Sequence, residues 1–229
     1  MTEKVVIGNA ELWHGDCREI LPSLPNFDLI LTDPPYGIGH DGAKKSTSRH
    51  GGRKEYKRFD WDNSAPSGWL FGLIHDKARD LVIWGGNYYP QHLRPSMGWL
   101  VWDKGQRIAQ SDCELAYTTR HDKALRAITI NRVELSKDGA VHPTQKPIRL
   151  MAWCLSLFNE HDAVCDPFMG SGTTGVACAQ VGRIFTGIER EREYFDAACE
   201  RVAAAQSQTS LLHMPGARIQ TPESISLFA

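Results

Sequence analysis

Residues 163–189 read AVCDPFMGSGTTGVACAQVGRIFTGIE, and this stretch decides the fold. Its apolar runs at 163–166 and 184–189 are typical of short buried strands, and the small residues of 171–181 predict a helix that can pack close to a sheet. A charged amphipathic helix is predicted over 190–205. This β-α-β-α order is the pattern of a parallel sheet with helices on its faces, so the sequence predicts an α/β fold.

A glycine-rich turn joins the first of these strands to its helix. Residues 170–175, GSGTTG, match the spacing G-x-G-x-x-G, which binds a nucleotide when it follows a strand and opens a helix. Glu189 ends the next strand, where its carboxylate can accept hydrogen bonds from ribose hydroxyls. The turn therefore predicts a nucleotide-like cofactor. The alternative is that the glycines only allow close packing of helix and strand.

The residues before the glycine turn bear on which cofactor it takes. NAD and S-adenosylmethionine both carry an adenosine whose ribose suits an acid, but NAD also brings a pyrophosphate to the helix N-terminus. Asp166 is a poor neighbour for a pyrophosphate and a good one for an ammonium group. Phe168 could lie against a cationic centre. These two residues favour S-adenosylmethionine over NAD.

A second motif follows an apolar strand earlier in the chain. Residues 27–32 read FDLILT, and the prolines of Asp33-Pro34-Pro35-Tyr36 end that strand. Ligands of α/β sheets bind at such strand ends. A carboxylate, a backbone carbonyl and an aromatic ring suit a flat base that carries an exocyclic amino group. The alternative is a strand that simply ends in a Pro-Pro turn.

The composition is that of a soluble globular protein, with 229 residues of which 41% are hydrophobic and 23% charged. We expect one domain, residues 1–229, with inserted segments at 37–68 and about 104–140. No apolar run approaches ~18 residues, so no membrane span is expected. The six cysteines contain no CxxC pair, which predicts neither a metal site nor a disulfide framework and favours a cytoplasmic location.

Together these motifs resemble those of the DNA methyltransferases that act on the amino group of adenine N6 or cytosine N4. Asp33-Pro34-Pro35-Tyr36 is similar to the catalytic motif of that family, and residues 166–174 are similar to its cofactor loop. Residues 141–147, VHPTQKP, resemble the element before that loop, and residues 15–17 resemble the segment that meets the adenine of the cofactor. The catalytic motif comes first in the chain, which is the circularly permuted order of the β group.

The resemblance implies a Rossmann-like S-adenosylmethionine-dependent methyltransferase fold, with a mixed, mainly parallel, seven-stranded sheet and helices on both faces. It implies that Asp33, Pro34, Pro35 and Tyr36 are catalytic. The residues predicted to bind the cofactor are Asp16, Cys17, Asp33, His142, Thr144, Gln145, Lys146, Asp166, Phe168, Gly170, Ser171, Gly172, Thr173, Thr174 and Glu189.

The implied reaction is methylation of an amino group in double-stranded DNA after base flipping, most often at adenine N6. Hydrogen bonds from the amino group to Asp33 and to the Pro34 carbonyl would localise its lone pair for attack on the sulfonium methyl. An aspartate at the first position of the motif favours adenine within the family. Cytosine N4, an RNA base, and a DNA-binding module with a vestigial cofactor site are the alternatives.

The net charge of −1 gives no global indication of a DNA partner, but the stretch 44–58 holds seven Lys or Arg against one acid. This stretch could track phosphates, or it could be a solvated loop. The residues predicted to bind DNA are Lys44, Lys45, Arg49, Arg53, Lys54, Lys57, Arg58, Arg120, Lys123 and Arg126. Because a chain of this size has limited surface for reading several base pairs, we also expect a homodimer, associated with the nucleoid through DNA.

Overall fold

The computed structural model describes residues 2–37, 66–105, 111–120, 125–131 and 145–212. Several predicted site residues lie outside these ranges. They are the seven cations of the stretch 44–58 together with Lys123, His142 and Thr144.

The described residues form nine strands and five α-helices. The strands are β1 (Glu3–Ile7), β2 (Ala10–His14), β3 (Phe27–Thr32), β4 (Ala78–Trp84), β5 (Trp99–Asp103), β6 (Cys113–Thr118), β7 (Leu125–Thr129), β8 (Ala163–Asp166) and β9 (Ile184–Glu189). The helices are α1 (Cys17–Ile20), α2 (Gly68–Lys77), α3 (Ile148–Ser156), α4 (Thr173–Gln180) and α5 (Arg192–Leu212).

One sheet contains all nine strands, in the order β1-β2-β9-β8-β3-β4-β6-β5-β7. The strands from β2 to β4 in this order are parallel, while β1 and β6 run antiparallel to their neighbours. The parallel strands therefore all end at one edge of the sheet, called here the carboxyl edge. Because β6 runs in the opposite direction, its first residues lie at the carboxyl edge and its last residues at the other edge.

The sheet separates two apolar cores. Leu29 and Leu31 of β3 point into one core, which α3, α4 and α5 cover. Ile30 points into the other, which α1 and α2 cover. This alternation follows from the period of two in a strand, and it fixes which side of the sheet each helix occupies.

The α/β class and the mixed sheet with helices on both faces are as predicted, but the sheet has nine strands rather than seven. The difference arises because β1 and β7 add an outermost strand at each side. Of these, β1 is an addition to the predicted strands, and it pairs with β2 through a two-residue turn at Gly8-Asn9. Gly-Asn is a hairpin signal that could have indicated it.

Two helix boundaries also differ from the prediction. The sequence predicts a helix over residues 68–80, but the helix ends at Lys77, because residues from Ala78 onward pair with β3 as part of β4. The sequence predicts an irregular tail over 206–229 after the helix of 190–205, but that helix continues to Leu212. No helix in the described ranges is long and apolar enough to cross a membrane.

Candidate active site

Asp33 follows β3 at the carboxyl edge, and both of its carboxylate oxygens accept hydrogen bonds. The Tyr36 hydroxyl donates to Oδ1 at 2.7 Å, and Lys146 Nζ donates to Oδ2 at 2.5 Å. The Lys146 side chain is only 6% exposed. A buried ion pair thus joins two residues that are 113 positions apart in the chain.

The proline turn after Asp33 is held by a tyrosine from the neighbouring strand connection. The Tyr89 hydroxyl donates to the carbonyl oxygens of Pro34 and Pro35, at 3.0 and 2.7 Å. Tyr89 is fully buried and follows the short 3-10 helix that comes after β4. Tyr89 is not among the predicted site residues, and only its position after a neighbouring strand end could have indicated it.

The Tyr36 ring is packed closely against the segment after β4. It stacks on Tyr88, with ring centroids 4.6 Å apart and planes inclined by 14°. Gly85 has φ +69°, and a Cβ added there would lie 2.2 Å from Cε1 of Tyr36. A side chain at position 85 is therefore excluded both by backbone strain and by the ring.

Charged groups alternate along the carboxyl edge next to Asp33. Lys146 Nζ lies 3.2 Å from Oε2 of Glu114, the second residue of β6, and Lys104 Nζ lies 2.7 Å from Oε1 of the same carboxylate. The row Lys104–Glu114–Lys146–Asp33 has two charges of each sign. Such alternation offsets the cost of burying each charge.

Burial and the neighbouring charges act on these groups in different directions. Burial raises the pKa of Asp33, and the Lys146 ammonium opposes that rise. Burial lowers the pKa of Lys146, but the carboxylates of Asp33 and Glu114 more than compensate, so its pKa lies well above the usual value. Lys146 is therefore charged at neutral pH.

Asp166 ends β8 and connects three elements through hydrogen bonds to its carboxylate. The hydroxyls of Thr32 on β3 and Thr174 on α4 each donate to it at 2.7 Å, and the Phe168 N–H donates at 3.1 Å. Burial raises the pKa of Asp166 to about 6, against the effect of these donors. The side chain thus fixes the glycine turn to the sheet.

Glu189 ends β9 and accepts hydrogen bonds from two backbone N–H groups. Gly170 donates to Oε2 at 2.9 Å and Glu191 donates to Oε1 at 2.7 Å. Burial raises the pKa of Glu189 to about 7. Asp16, which caps α1, and Cys17 come directly after Gly15, whose N–H donates to the Glu189 carbonyl at 2.9 Å. The structure thus brings Asp16, Cys17 and Glu189 together.

The glycine turn is held by residues before α3 and on α5. Ser171 Oγ donates to Oε1 of Gln145 at 3.0 Å, and Arg201 donates to the carbonyl and the hydroxyl of Ser171 at 2.6 and 2.9 Å. Gly172 has φ +78°, and a Cβ there would lie 2.9 Å from the Cβ of Ala198. Arg201 lies mid-helix, where no sequence pattern singled it out.

The donors and acceptors of this edge fit a nucleoside. Each carboxylate oxygen offers two acceptor positions, so Glu189 can accept from hydroxyls in addition to its two backbone donors. Glycines at the turn leave the backbone open to close approach. Within the described ranges, no group of three or more His, Cys, Asp or Glu side chains is placed to hold a metal ion.

Arg120 and Arg126 do not lie with these groups. Arg120 follows β6, and Arg126 pairs with Leu100 near the start of β5, so both lie towards the edge opposite Asp33. Arg120 donates to the Leu157 carbonyl and lies 3.7 Å from Oε1 of Glu160. With residues of α3 and the chain after it, the two arginines line a cavity of about 240 Å³. Their part in DNA binding stays a prediction.

Comparisons with known proteins agree with this geometry. Residues 101–200 match the family model described as DNA methylase, N6_N4_Mtase. The chain is 26% identical to the Type II methyltransferase M2.LlaDCHI of Lactococcus lactis subsp. cremoris, over 85% of this chain and 89% of that protein. It is 25% identical to M2.DpnII of Streptococcus pneumoniae, over 84% and 89% of the two chains.

Solved structures share the fold. The M1.HpyAVI–SAM complex superposes with a TM-score of 0.57 at 22% identity, covering 84% of this chain and 98% of the other. The PvuII DNA methyltransferase, described as cytosine-N4-specific, gives 0.54 at 16% identity, covering 89% and 93%. The family match over residues 101–200, the two relatives and the motifs at the carboxyl edge support a DNA amino-methyltransferase.

Proposed function

We propose that the protein methylates the N6 amino group of adenine at a specific site in double-stranded DNA. The observation that carries the proposal is the position of Asp33 directly after β3, the strand that lies beside β8 and its glycine turn. A carboxylate that accepts hydrogen bonds from an amino group and a turn that fits a nucleoside thus lie on adjacent strands of one edge.

The methyl donor is S-adenosylmethionine, which supplies an electrophilic methyl group when bound. Glu189 would accept hydrogen bonds from its ribose, and Asp16 and Cys17 would lie beside its adenine. Gln145 and the turn 170–174 would face the rest of the molecule. Asp166 is already occupied by three protein donors, so its main part is to hold the turn.

Asp33 and the Pro34 carbonyl would orient the target amino group. Both accept hydrogen bonds from an NH2, which favours a pyramidal nitrogen with a localised lone pair. Tyr89 fixes the carbonyl, since its hydroxyl donates to it. No covalent intermediate is required, and proximity contributes most of the acceleration.

The Tyr36–Tyr88 pair is the proposed contact surface for the flipped base. Extrusion of a base from the duplex costs a few kcal/mol, and aromatic stacking offsets part of that cost. The hydrogen bond from the Tyr36 hydroxyl to Asp33 fixes the ring next to the acceptor. The base and its amino group would therefore be held by one short segment of the chain.

The remaining features of the proposal are the domain organisation and the assembly. We propose one methyltransferase domain of the permuted β group, since the strand that carries Asp33 precedes the strand that carries Asp166. A homodimer on DNA is proposed because one chain offers limited surface for reading several base pairs. Analytical ultracentrifugation that finds only monomers on DNA would contradict the dimer.

The experiment for the activity is transfer of a labelled methyl group from S-adenosylmethionine to duplex DNA, followed by nucleoside mass spectrometry. N6-methyladenine as the product is the expected result. N4-methylcytosine would change the base assignment but keep the reaction. A label found only in RNA, or in no nucleic acid although the cofactor binds, would refute the proposal.

A further inference from the structure

Lys146 is the most deeply buried cation that touches the proposed catalytic motif. Its ammonium donates to Asp33 Oδ2 at 2.5 Å and to Tyr36 Oη at 3.2 Å, and it forms an ion pair with Glu114, whose Oε2 lies 3.2 Å away. Three fixed partners hold the nitrogen in one place. Lys146 is therefore held in a buried ion pair of fixed geometry, unlike a mobile lysine at the surface.

Asp33 has to accept a hydrogen bond from the target amino group in addition to those its two oxygens already accept from Tyr36 and Lys146, and a carboxylate has that acceptor capacity. A protonated carboxyl would itself donate and would lose part of its acceptor capacity. Burial at the sheet edge favours the protonated form, and a cation in contact favours the ionised form. The structure supplies only one such contact among the described residues, which is Lys146.

We propose that Lys146 is a positioning residue for methyl transfer, which keeps Asp33 ionised and fixes the direction of its Oδ2 oxygen. The inference rests on the proposed function, and it gives Lys146 a part different from the cofactor contact that the sequence predicted.

The groups around Asp33 come from every element packed against it. Tyr36 lies in the same turn, Glu114 on β6, and Asp166 on β8, where the Asp33 charge also raises the pKa of Asp166. Glu114 and Asp166 both oppose ionisation of Asp33, so the Lys146 charge acts against two carboxylates. Lys104 contacts Glu114 and not Asp33, which makes it the matched control.

The test is titration of the Asp33 carboxyl by ¹³C NMR in the protein without cofactor or DNA, with the signal assigned by its loss in Asp33→Asn. We expect the titration midpoint of Lys146→Met to rise by about 1–3 pH units, because an opposite charge in contact lowers a carboxyl pKa by that much. In Glu114→Gln the midpoint should fall, because a like charge is removed. Lys146→Arg should restore the wild-type midpoint, and Lys104→Met should move it by less than about half a pH unit.

The pH profile of kcat provides the second measurement. The acidic limb should move in the same direction as the Asp33 midpoint in each variant, while the Kd for S-adenosylmethionine stays within about threefold of wild type, under 1 kcal/mol. The inference is overturned if the titration midpoint of Asp33 does not move in Lys146→Met. It is also overturned if the Kd for S-adenosylmethionine weakens tenfold while the acidic limb of the kcat profile stays in place. If Lys146→Met does not fold, the titration midpoint of Asp33 in Glu114→Gln is the test. A midpoint that falls supports the inference, and one that does not fall overturns it. A wild-type protein without methyl transfer refutes the proposed function, whereas an active wild type with unmoved midpoints refutes only the inference.

Discussion

The dipeptide Asp-Pro occurs at the ends of two neighbouring parallel strands, β3 and β8, and the two aspartates are held by different kinds of partner. Asp33 contacts the ammonium of Lys146 and the hydroxyl of Tyr36. Among the described residues, Asp166 accepts hydrogen bonds from two threonine hydroxyls and one N–H, all of which are neutral. A cation opposes the rise that burial causes in the pKa of the first carboxylate, whereas the second carboxylate joins neutral donors from neighbouring elements and so has a structural part.

The largest effect is expected for removal of the Asp33 carboxylate. Asp33→Ala should lower kcat by on the order of 10²–10³-fold, because loss of one preorganised group that contacts the reacting atoms costs that much. The Kd for S-adenosylmethionine should change little. Labelled methyl transfer and calorimetry measure the two quantities. Asp33→Asn, which keeps the volume and one acceptor, is the control and should retain more activity; near wild-type turnover by the alanine variant would refute the assignment.

Removal of the Asp166 carboxylate should affect stability first. Asp166→Ala should lower the free energy of unfolding by roughly 2–4 kcal/mol, since three buried donors lose their acceptor at about 1–3 kcal/mol each. Urea denaturation measures this change. Thr174→Val removes only one donor and should cost about 1 kcal/mol. An unchanged urea midpoint in the alanine variant would mean that the hydrogen bonds to Asp166 do not stabilise the fold.

The contribution of Asp166 to the free energy of unfolding should depend on pH. The pKa of Asp166 in the folded protein is about 6, above its ordinary value, so the fold favours the neutral form and loses stability as the pH rises through 6. The unfolding free energy of wild type minus that of Asp166→Asn should therefore fall by about 2 kcal/mol between pH 4 and 7. Urea titrations at several pH values check the sign, and a difference that rises with pH would contradict it.

Glu189 extends the comparison to a third strand end. Glu189→Gln should weaken S-adenosylmethionine binding about 10- to 100-fold, because a hydrogen bond to a charged acceptor contributes roughly 1.5–3 kcal/mol. Burial raises the pKa of Glu189 to about 7, and the ionised form is the acceptor. Wild-type affinity should thus decrease as the pH falls below 7, while that of the glutamine variant should not. Calorimetry at pH 6 and 8 distinguishes the two.

The smallest effect is expected next to Asp33, at Tyr88. Tyr88→Leu removes the ring that stacks on Tyr36 and should raise the KM for DNA by about 2- to 10-fold, in line with 0.5–1.5 kcal/mol for an aromatic pair. Tyr88→Phe keeps the stack and should behave as wild type. A KM for the leucine variant that equals that of the phenylalanine variant would exclude a role for the stack.

Strand ends could be predicted from the sequence, and their partners could not. The apolar runs placed Asp33, Asp166 and Glu189 at ends of strands that are adjacent in the sheet, because parallel strands end at the same edge. Lys146 and Tyr89 contact the Asp33 turn only through the tertiary fold, and no local spacing encodes those contacts. The same limit explains why the start of β4 at Ala78 was not predicted, since it depends on the pairing of β4 with β3.

Strand direction sets where the two predicted arginines lie relative to Asp33. Arg120 and Arg126 lie in a basic part of the sequence, which made a DNA contact plausible. Because β6 runs antiparallel to β4, its end carries Arg120 away from the carboxyl edge. Strand direction depends on how the chain returns to the sheet, and the pattern of apolar residues does not specify it.

The proline pair that Tyr89 holds has a consequence for how this turn can be observed. Pro34 and Pro35 have no amide hydrogen, so amide hydrogen exchange and ¹H–¹⁵N spectra contain no signal from the centre of the motif. Rigidity or opening of the turn has to be followed through the Tyr89 hydroxyl or through ¹³C labels on the prolines. A protein that looks unchanged by amide probes can therefore have lost the geometry at Asp33.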